Sequence, residues 1–466
     1  MEKSICPNNI TIRESLNYIN SEPAGIAFIV NKEKKLQGVV TDGDIRRILL
    51  EGANLDDNIY NFISDNFVYA KLGEDIQELL KKTNKKVRII PILNSDFKPV
   101  DYFRYQHKTH YTPVAEPKLY GNEIKYVNDA LLSTWISSRG EYITRFEQEF
   151  STFCNTQFGV STSNGTVSIH LALKALGVGK GDEVILPDLT FAATINAVLL
   201  SGAKPVIVDV DIQSWTISPK AIKEAINNKT KAIIPVHIYG QPCEMSAIMK
   251  IAKKNNLYVI EDCAEAHGAK FNGEKVGSFG DISTFSFFGN KIITTGEGGM
   301  CVTNSKSLDQ KMRILRDHGM SLTKKYWHNE VGFNYRMTNL QAAIGCAQLE
   351  NIDKILNERK IIESNYKYEI GDKHIEWQKN INNIEKVVWL VSGLVYEKRD
   401  ELIKMFSNNM IDCRPFFYPL SQMPIYNKYS FSNENSLVIS KRGINFPTVK
   451  NVDYKKIQFL LIDFFK

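Results

Sequence analysis

The sequence predicts an α/β chain: a large domain with a mostly parallel sheet, a small C-terminal α+β domain, and a short domain of two similar units ahead of both. Three observations carry that prediction. Nearly continuous apolar runs (Val184-Ile185-Leu186, Pro205-Val206-Ile207-Val208, Ala232-Ile233-Ile234-Pro235-Val236, Tyr258-Val259-Ile260) alternate with helical patterns such as Val167 to Leu176 and Met245 to Lys254. Runs of that kind mark strands buried on both faces of a parallel sheet. From about residue 361 the texture changes to α+β, and before residue 108 short strands and helices follow a plan that repeats.

The elements follow in chain order. Gly25 to Val30 has the length and apolarity of a buried strand, Asn31 to Lys35 is a polar turn, and Leu36 to Val40 returns as a second strand. Asp44 to Leu50 reads as a helix, with apolar residues at 45, 48 and 49 and an acid at its start. The plan recurs as a helix at Ile76 to Leu80, a strand at Val87 to Leu93 and a turn at Asn94 to Asp96, an internal repeat of about fifty residues. The pattern dissolves around Gln106 to His110, and Pro113 and Pro117 follow, so a linker is placed there. Gly121 to Phe150 is largely helical, and strand–helix alternation runs from Phe158 to Asn304. The expected domains are 1–108, 112–360 and 361–466, in keeping with 466 residues at roughly 150 per domain.

Composition narrows the function. Hydrophobic residues make up 43% and charged residues 24%, which excludes collagen-like, disulfide-scaffold and disordered chains. No stretch approaches the ~20 apolar residues of a membrane span, and the first residues lack the apolar core of a secretory signal. Seven cysteines without a C-x-x-C pair point to neither a disulfide framework nor a metal site, and to a cytoplasmic location. The net charge of +6 is interspersed, whereas nucleic-acid binders concentrate Lys and Arg. The densest cluster, Lys81-Lys82 with Lys85-Lys86-Val87-Arg88, reads as a solvated helix end. Neither a nucleic acid nor a membrane is the expected partner; a phosphate-bearing small molecule suits this charge.

Four features of the α/β region converge on one cofactor. Ser163-Asn164-Gly165-Thr166 precedes a helix, and a glycine in a strand-to-helix turn brings backbone N–H groups to a phosphate. Gly177 to Gly181 follows a helix instead and reads as a terminating loop. Asp262 closes the strand from Tyr258; at a strand's carboxyl end it can pair with a protonated ring nitrogen or cap a following helix. Glu265, three residues on, suits a capping box or a ligand contact. The strand Ile282 to Phe287 delivers Lys291 into a glycine-rich loop, where a partly desolvated amine can form a Schiff base. Phe191 follows another strand and could stack on a flat ring. A phosphate, a ring nitrogen, an aldehyde and a flat face together describe pyridoxal 5'-phosphate (PLP).

The strings Gly165-Thr166, Glu261-Asp262-Cys263-Ala264-Glu265, Phe285 to Lys291 and Gly332 to Gln341 resemble the sugar-nucleotide aminotransferases of the DegT/DnrJ/EryC1/StrS type, over about residues 112 to 466. The resemblance implies the fold-type-I PLP-dependent aminotransferase architecture and homodimers with active sites at the subunit interface. It makes Lys291 the Schiff-base lysine and proton shuttle, Asp262 the partner of the pyridine nitrogen, Phe191 the stacking aromatic and Glu265 a contact to the ring oxygen. Gly165, Thr166 and Ser286 become phosphate contacts, joined by Asn334 of the neighbouring subunit. Related dehydrases carry histidine in place of this lysine, so Lys291 argues for transamination. Trp135 to Ile143, Pro235 to Pro242 and Arg414 to Leu420 resemble the branch that aminates GDP-linked 4-keto-6-deoxyhexoses, with Arg414 a substrate contact. Ser421 departs from it, standing where histidine is expected.

The implied reaction moves an amino group from glutamate to a nucleotide-linked 4-keto-6-deoxyhexose. Two alternatives stay open: a UDP-linked 4-keto sugar, and a non-catalytic nucleotide-sensing protein, against which the intact Lys291 and Asp262 argue. The N-terminal segment resembles a pair of CBS domains. In Gly38-Val39-Val40-Thr41-Asp42-Gly43-Asp44, Thr41 and Asp44 match the residues that hold an adenosine ribose, and equally suit a helix cap. The second unit, at Lys98 to Tyr102, lacks that Thr-x-x-Asp spacing.

Overall fold

The computed structural model describes every residue except 1–3, 21–24, 65, 76–77, 80–81, 84–86, 88, 105–110 and 380. The linker around Gln106 to His110, most of the basic cluster at 81–88 and part of the helix expected over Ile76 to Leu80 therefore lie outside the described residues. The chain divides into two units, Met1–His110 and Tyr111–Lys466.

In the first unit β1 (Ile5–Pro7), β2 (Ile26–Val30) and β3 (Leu36–Thr41) form one sheet, with β1 parallel and β3 antiparallel to β2. A second sheet of β4 (Ala70–Lys71), β5 (Ile89–Leu93) and β6 (Pro99–Arg104) repeats that arrangement. The repeat extends to turn chemistry. The Asn31 Oδ1 accepts the N–H groups of Glu33 and Lys35 at 2.9 and 3.0 Å, and the Asn94 Oδ1 accepts those of Asp96 and Lys98, both at 3.0 Å. A short side chain that bonds its own backbone in this way stabilises a tight turn. The two hairpins are tied directly, the Leu36 N–H donating to the Phe97 carbonyl at 3.0 Å.

The second unit opens with helices Glu123–Leu132 and Glu141–Phe153, so the helical stretch expected over 121–150 is broken at residues 133–140. Seven strands follow: β7 (Phe158–Thr162), β8 (Glu183–Pro187), β9 (Lys204–Val208), β10 (Thr230–Ile233), β11 (Tyr258–Asp262), β14 (Ile282–Ser286) and β15 (Gly299–Thr303), with the short β12 (Lys270–Phe271) and β13 (Glu274–Lys275) between β11 and β14. Their order in the sheet is β7-β15-β14-β11-β10-β8-β9. Every pairing is parallel except the two made by β15, which is the mostly parallel sheet the apolar runs predict. The helix Gly165–Ala175 is buried from Ser168 through Leu173, the pattern of a helix covered on all sides.

Beyond the long helix Ile352–Ile370, β16 (Ile375–Trp377), β18 (Val391–Val395), β19 (Arg414–Pro415) and β20 (Gly443–Phe446) make an antiparallel sheet with its own apolar core. The short β17 (Ile384–Glu385) pairs with β12 instead. Trp389 and Phe416 pack into the core of the large sheet rather than that of the small one. Among the described residues, no helix is long and apolar enough to cross a membrane.

One buried carboxylate joins the start of the sheet to its flanking helices. Glu147 accepts from the Ser161 N–H and Oγ at 2.9 and 2.8 Å, and from Arg313 and Arg316 at 2.7 and 2.6 Å. Burial pushes this carboxyl up, but the two guanidiniums outweigh it and hold the group below the ordinary value of 4.5. A lowered folded-state value stabilises the protein above the ordinary one, and the contribution is lost as pH falls through the folded value. Glu147→Gln should therefore cost about 3–5 kcal/mol at neutral pH, the price of breaking one side of a buried pair. Thermal melts of both proteins should show their gap shrinking below pH ~4.5; a gap constant from pH 7 to 3 would refute the assignment.

Candidate active site

The carboxyl ends of β7, β8, β10, β11 and β14 converge on one cavity of about 600 Å³. Gly165, Thr166, Phe191, Asp262, Glu265, Ser286 and Lys291 all line it. Seven residues spread over more than a hundred positions thus meet where the chain turns from strand to helix or loop, as open parallel sheets place their ligands.

Asp262 is the last residue of β11 and no helix follows it, so the helix-cap reading falls. Its Oδ2 accepts the Thr194 hydroxyl at 2.8 Å and its Oδ1 the Ala264 N–H at 3.2 Å. Burial pushes this carboxyl up, opposed by those two donors and by the charge of Lys291. Among the described residues the nearby ammonium of Lys291 pairs with Glu265 and none forms a salt bridge with Asp262, so a cationic ring nitrogen in the cavity would meet an acceptor without a cation of its own. Glu265 does not cap a helix either. Its Oε2 accepts the Tyr239 N–H at 2.8 Å, and its Oε1 lies 3.3 Å from the Lys291 Nζ. Lys291 is largely buried, and its ammonium also sits 4.1 Å from the centre of the Trp389 ring.

At the opposite end of the cavity the helix Gly165–Ala175 begins, with the Asn164 side chain accepting the Val167 N–H at 3.1 Å. A Cβ on Gly165 would lie 2.8 Å from the Ser286 Cβ, so glycine is required where the helix start meets the end of β14. Helix N–H groups and the Ser286 side chain together form a cradle for an anion. Phe191 precedes the helix Ala192–Ser201, is 59% exposed, and lies 5.6 Å from the Phe417 ring. The donor set accommodates PLP: an amine for the aldehyde, a buried carboxylate for the ring nitrogen, and a helix start for the phosphate.

Two expected residues are not brought there. The Asn334 Oδ1 accepts the Arg336 Nε at 2.9 Å away from the cavity, and Arg414 is exposed and paired with Asp412. Conversely, Thr194, Trp389 and Phe417 line the cavity without having been singled out. Thr194 lies three residues after Phe191, but nothing local announces a partner 68 residues away. In the N-terminal unit Thr41 caps the helix Asp42–Leu50 and forms a reciprocal capping box with Asp44, whose other oxygen pairs with Arg47.

A lysine, two buried carboxylates and an anion cradle at the carboxyl edge of this sheet define a PLP-dependent transferase. Residues 117–461 match the DegT/DnrJ/EryC1/StrS aminotransferase family and residues 5–51 match the CBS domain; the chain belongs to that aminotransferase family, with a CBS domain at its N-terminus. It is 46% identical over 352 residues to the GDP-perosamine synthase of Escherichia coli O157:H7, spanning 75% of this chain and 96% of that one. The GDP-perosamine synthase of Vibrio cholerae is 47% identical over 344 residues, 72% and 93% of the two chains. An aminotransferase structure from Psychrobacter cryohalolentis superposes with a TM-score of 0.70 at 30% identity, covering 76% of this chain and 98% of that one. The protein is a PLP-dependent sugar aminotransferase.

Gly165→Ala is expected to weaken PLP retention about tenfold and to lower the melting temperature of the apoenzyme, because the added Cβ crowds Ser286. Dialysis followed by absorbance measures it, and retention equal to wild type would separate Gly165 from the anion cradle.

Proposed function

We propose that the enzyme transfers an amino group from glutamate to GDP-4-keto-6-deoxymannose, giving GDP-perosamine. The observation that carries this reading is the 46–47% identity to two GDP-perosamine synthases over nearly their whole length. When bound, PLP supplies an electrophilic carbonyl and an electron sink. Lys291 would hold the cofactor through its Nζ, which is also the nitrogen placed to carry the transferred proton. Asp262, buried and held by Thr194, would face the ring nitrogen and favour its protonated form. Glu265 holds the Lys291 amine and would accept from or orient the ring oxygen, and Phe191 would cover the ring. Gly165, Thr166 and Ser286 would hold the phosphate. Arg414, outside the cavity and paired with Asp412, would have to leave or share that pair to contact the substrate.

The proposal includes a homodimer in which Asn334 reaches the partner's phosphate cradle. Asn334 lies outside its own chain's cavity, and the segment before it exposes Leu322, Tyr326, Trp327 and Val331, the last 88% exposed. Exposed apolar groups clustered on one segment mark an interaction surface. We place the reaction in the cytoplasm, in keeping with seven buried, unpaired cysteines. An adenine nucleotide at the CBS domain completes the reading, with Thr41 and Asp44 contacting its ribose. Their capping box and the Arg47 pair would have to open or share those oxygens.

Lys291→Ala should lose turnover at least 10³-fold yet still bind PLP. A panel of GDP-, UDP- and dTDP-4-keto sugars, with product read by mass, tests the substrate; amination of the UDP sugar in preference to the GDP sugar would replace it. Hybrid dimers of Lys291→Ala and Asn334→Ala chains should recover part of the activity that each homodimer lacks. No recovery in hybrids shown to form would remove the shared site. Calorimetry of the full chain with AMP, ADP and ATP tests the CBS domain, and affinity unchanged in Asp44→Ala would exclude the ribose contact.

A further inference from the structure

The turn from Val236 to Gln241 has no role in the reaction as described, yet it bonds or packs against Glu265, Trp389 and Phe417. Tyr239 lies at φ 51° and ψ 27°, a left-handed conformation that a bulky residue holds only where its surroundings over-determine it. Those surroundings are visible. Tyr239 is fully buried, its ring lies parallel to that of Trp389 at 6.0 Å and 4.4 Å from Phe416, and its hydroxyl accepts the Phe417 N–H at 2.8 Å. Gly240 follows, also left-handed at φ 86°, and its carbonyl accepts the Val387 N–H at 3.1 Å. A Cβ on Gly240 would stand 2.0 Å from the Val387 carbonyl oxygen, so nothing larger than glycine lets the turn approach so closely.

We propose that Tyr239 is a positioning residue that couples the Lys291–Glu265 pair to the aromatic wall of the cavity; the inference rests on the roles assigned to those two residues above. The left-handed turn aims the Tyr239 N–H at Glu265, which in turn holds the Lys291 amine. The ring backs Trp389, whose face covers that same amine and whose Nε1 donates to the Asn290 carbonyl next to Lys291 at 2.8 Å. The phenol fixes the backbone at Phe417, whose ring lies beside Phe191. One side chain and its amide thus set the amine, the carboxylate and the far wall together, although Tyr239 itself does not line the cavity.

The test is reconstitution of the full-length apoenzyme with PLP, followed by the visible absorbance that reports its bond to Lys291. Tyr239→Leu removes the phenol and the stacking ring and should slow reconstitution about tenfold or more. Tyr239→Phe keeps the ring and should restore the rate to within about threefold of wild type, a rescue that general destabilisation would not give. Wild-type reconstitution by the leucine variant overturns the proposal. Normal reconstitution by Glu265→Gln alongside a slow leucine variant overturns the role of Glu265 and leaves that of Tyr239. Should the leucine variant fail to fold, hydrogen exchange on Tyr239→Phe decides: the peptide carrying the Phe417 amide should exchange at least about tenfold faster once its acceptor is gone. Unchanged exchange there overturns the coupling.

Discussion

Strand β11 ends in two consecutive buried acids, and the need to satisfy both organises the site. Because side chains alternate along a strand, Glu261 and Asp262 face opposite ways. Glu261 is fully buried and accepts from the His237 Nε2, the N–H groups of Gly277, Phe279 and Gly280, and the Ser283 hydroxyl. The His237 Nδ1 accepts the Cys243 N–H at 3.0 Å, so the ring proton sits on Nε2 and points to Glu261. A buried carboxylate left short of donors is costly, and here the donors come from a loop and a turn that are thereby drawn against the strand. With Glu261 saturated on one side, the Asp262 carboxylate accepts from two donors among the described residues and has acceptor capacity left for a ligand. The backbone N–H of His237 also donates to the Asp262 carbonyl, at 3.1 Å. The acid that lines the cavity is therefore braced by contacts that never enter it.

The same economy shapes the rest of the second unit. The large sheet supplies strand ends, but the aromatic wall comes from segments far downstream, at Trp389 and Phe417. Trp389 precedes β18 of the small antiparallel sheet and packs with the core of the large one. Ser421, the departure from the expected histidine, belongs to a second buried junction of this kind. Its N–H and hydroxyl donate to Asp188 at 2.7 and 2.8 Å, and the Ser436 hydroxyl donates to the same carboxylate at 2.5 Å. Burial pushes Asp188 up against those three donors. The serine thus holds the segment just ahead of Phe191 and is not among the residues that line the cavity.

The first unit shows how a repeat persists in backbone geometry while its side chains differ. The Asn-centred turns, the parallel-then-antiparallel pairing and the left-handed residues Lys34 and Phe97 match between the two sheets, because hairpin geometry constrains them. By the register of the two hairpins Thr41 corresponds to Arg104, and the position that corresponds to Asp44 lies outside the described residues. In the first copy the pair already closes a helix end, so one four-residue motif carries both a structural and a recognition reading.

What the sequence determined by itself was whatever depends on local pattern. Continuous apolar runs announce buried parallel strands, Asn31 and Asn94 announce turns, and the strings around Gly165, Asp262 and Lys291 announce cofactor chemistry, since each needs its residue types at short spacing. Only the tertiary structure decided which groups meet. Thr194 serves Asp262 across 68 residues, Trp389 covers Lys291 across a change of domain texture, and the Tyr239 amide reaches Glu265 from a turn no propensity predicts. The same holds for the choice between the two readings of Asp262: it caps no helix because the chain after it closes into turns, the Ala266 N–H on the Cys263 carbonyl and the Ala269 N–H on the Ala266 carbonyl. Such contacts are set by sheet order and by the requirement that buried polar groups be paired, and both are properties of the folded whole, absent from any stretch of sequence.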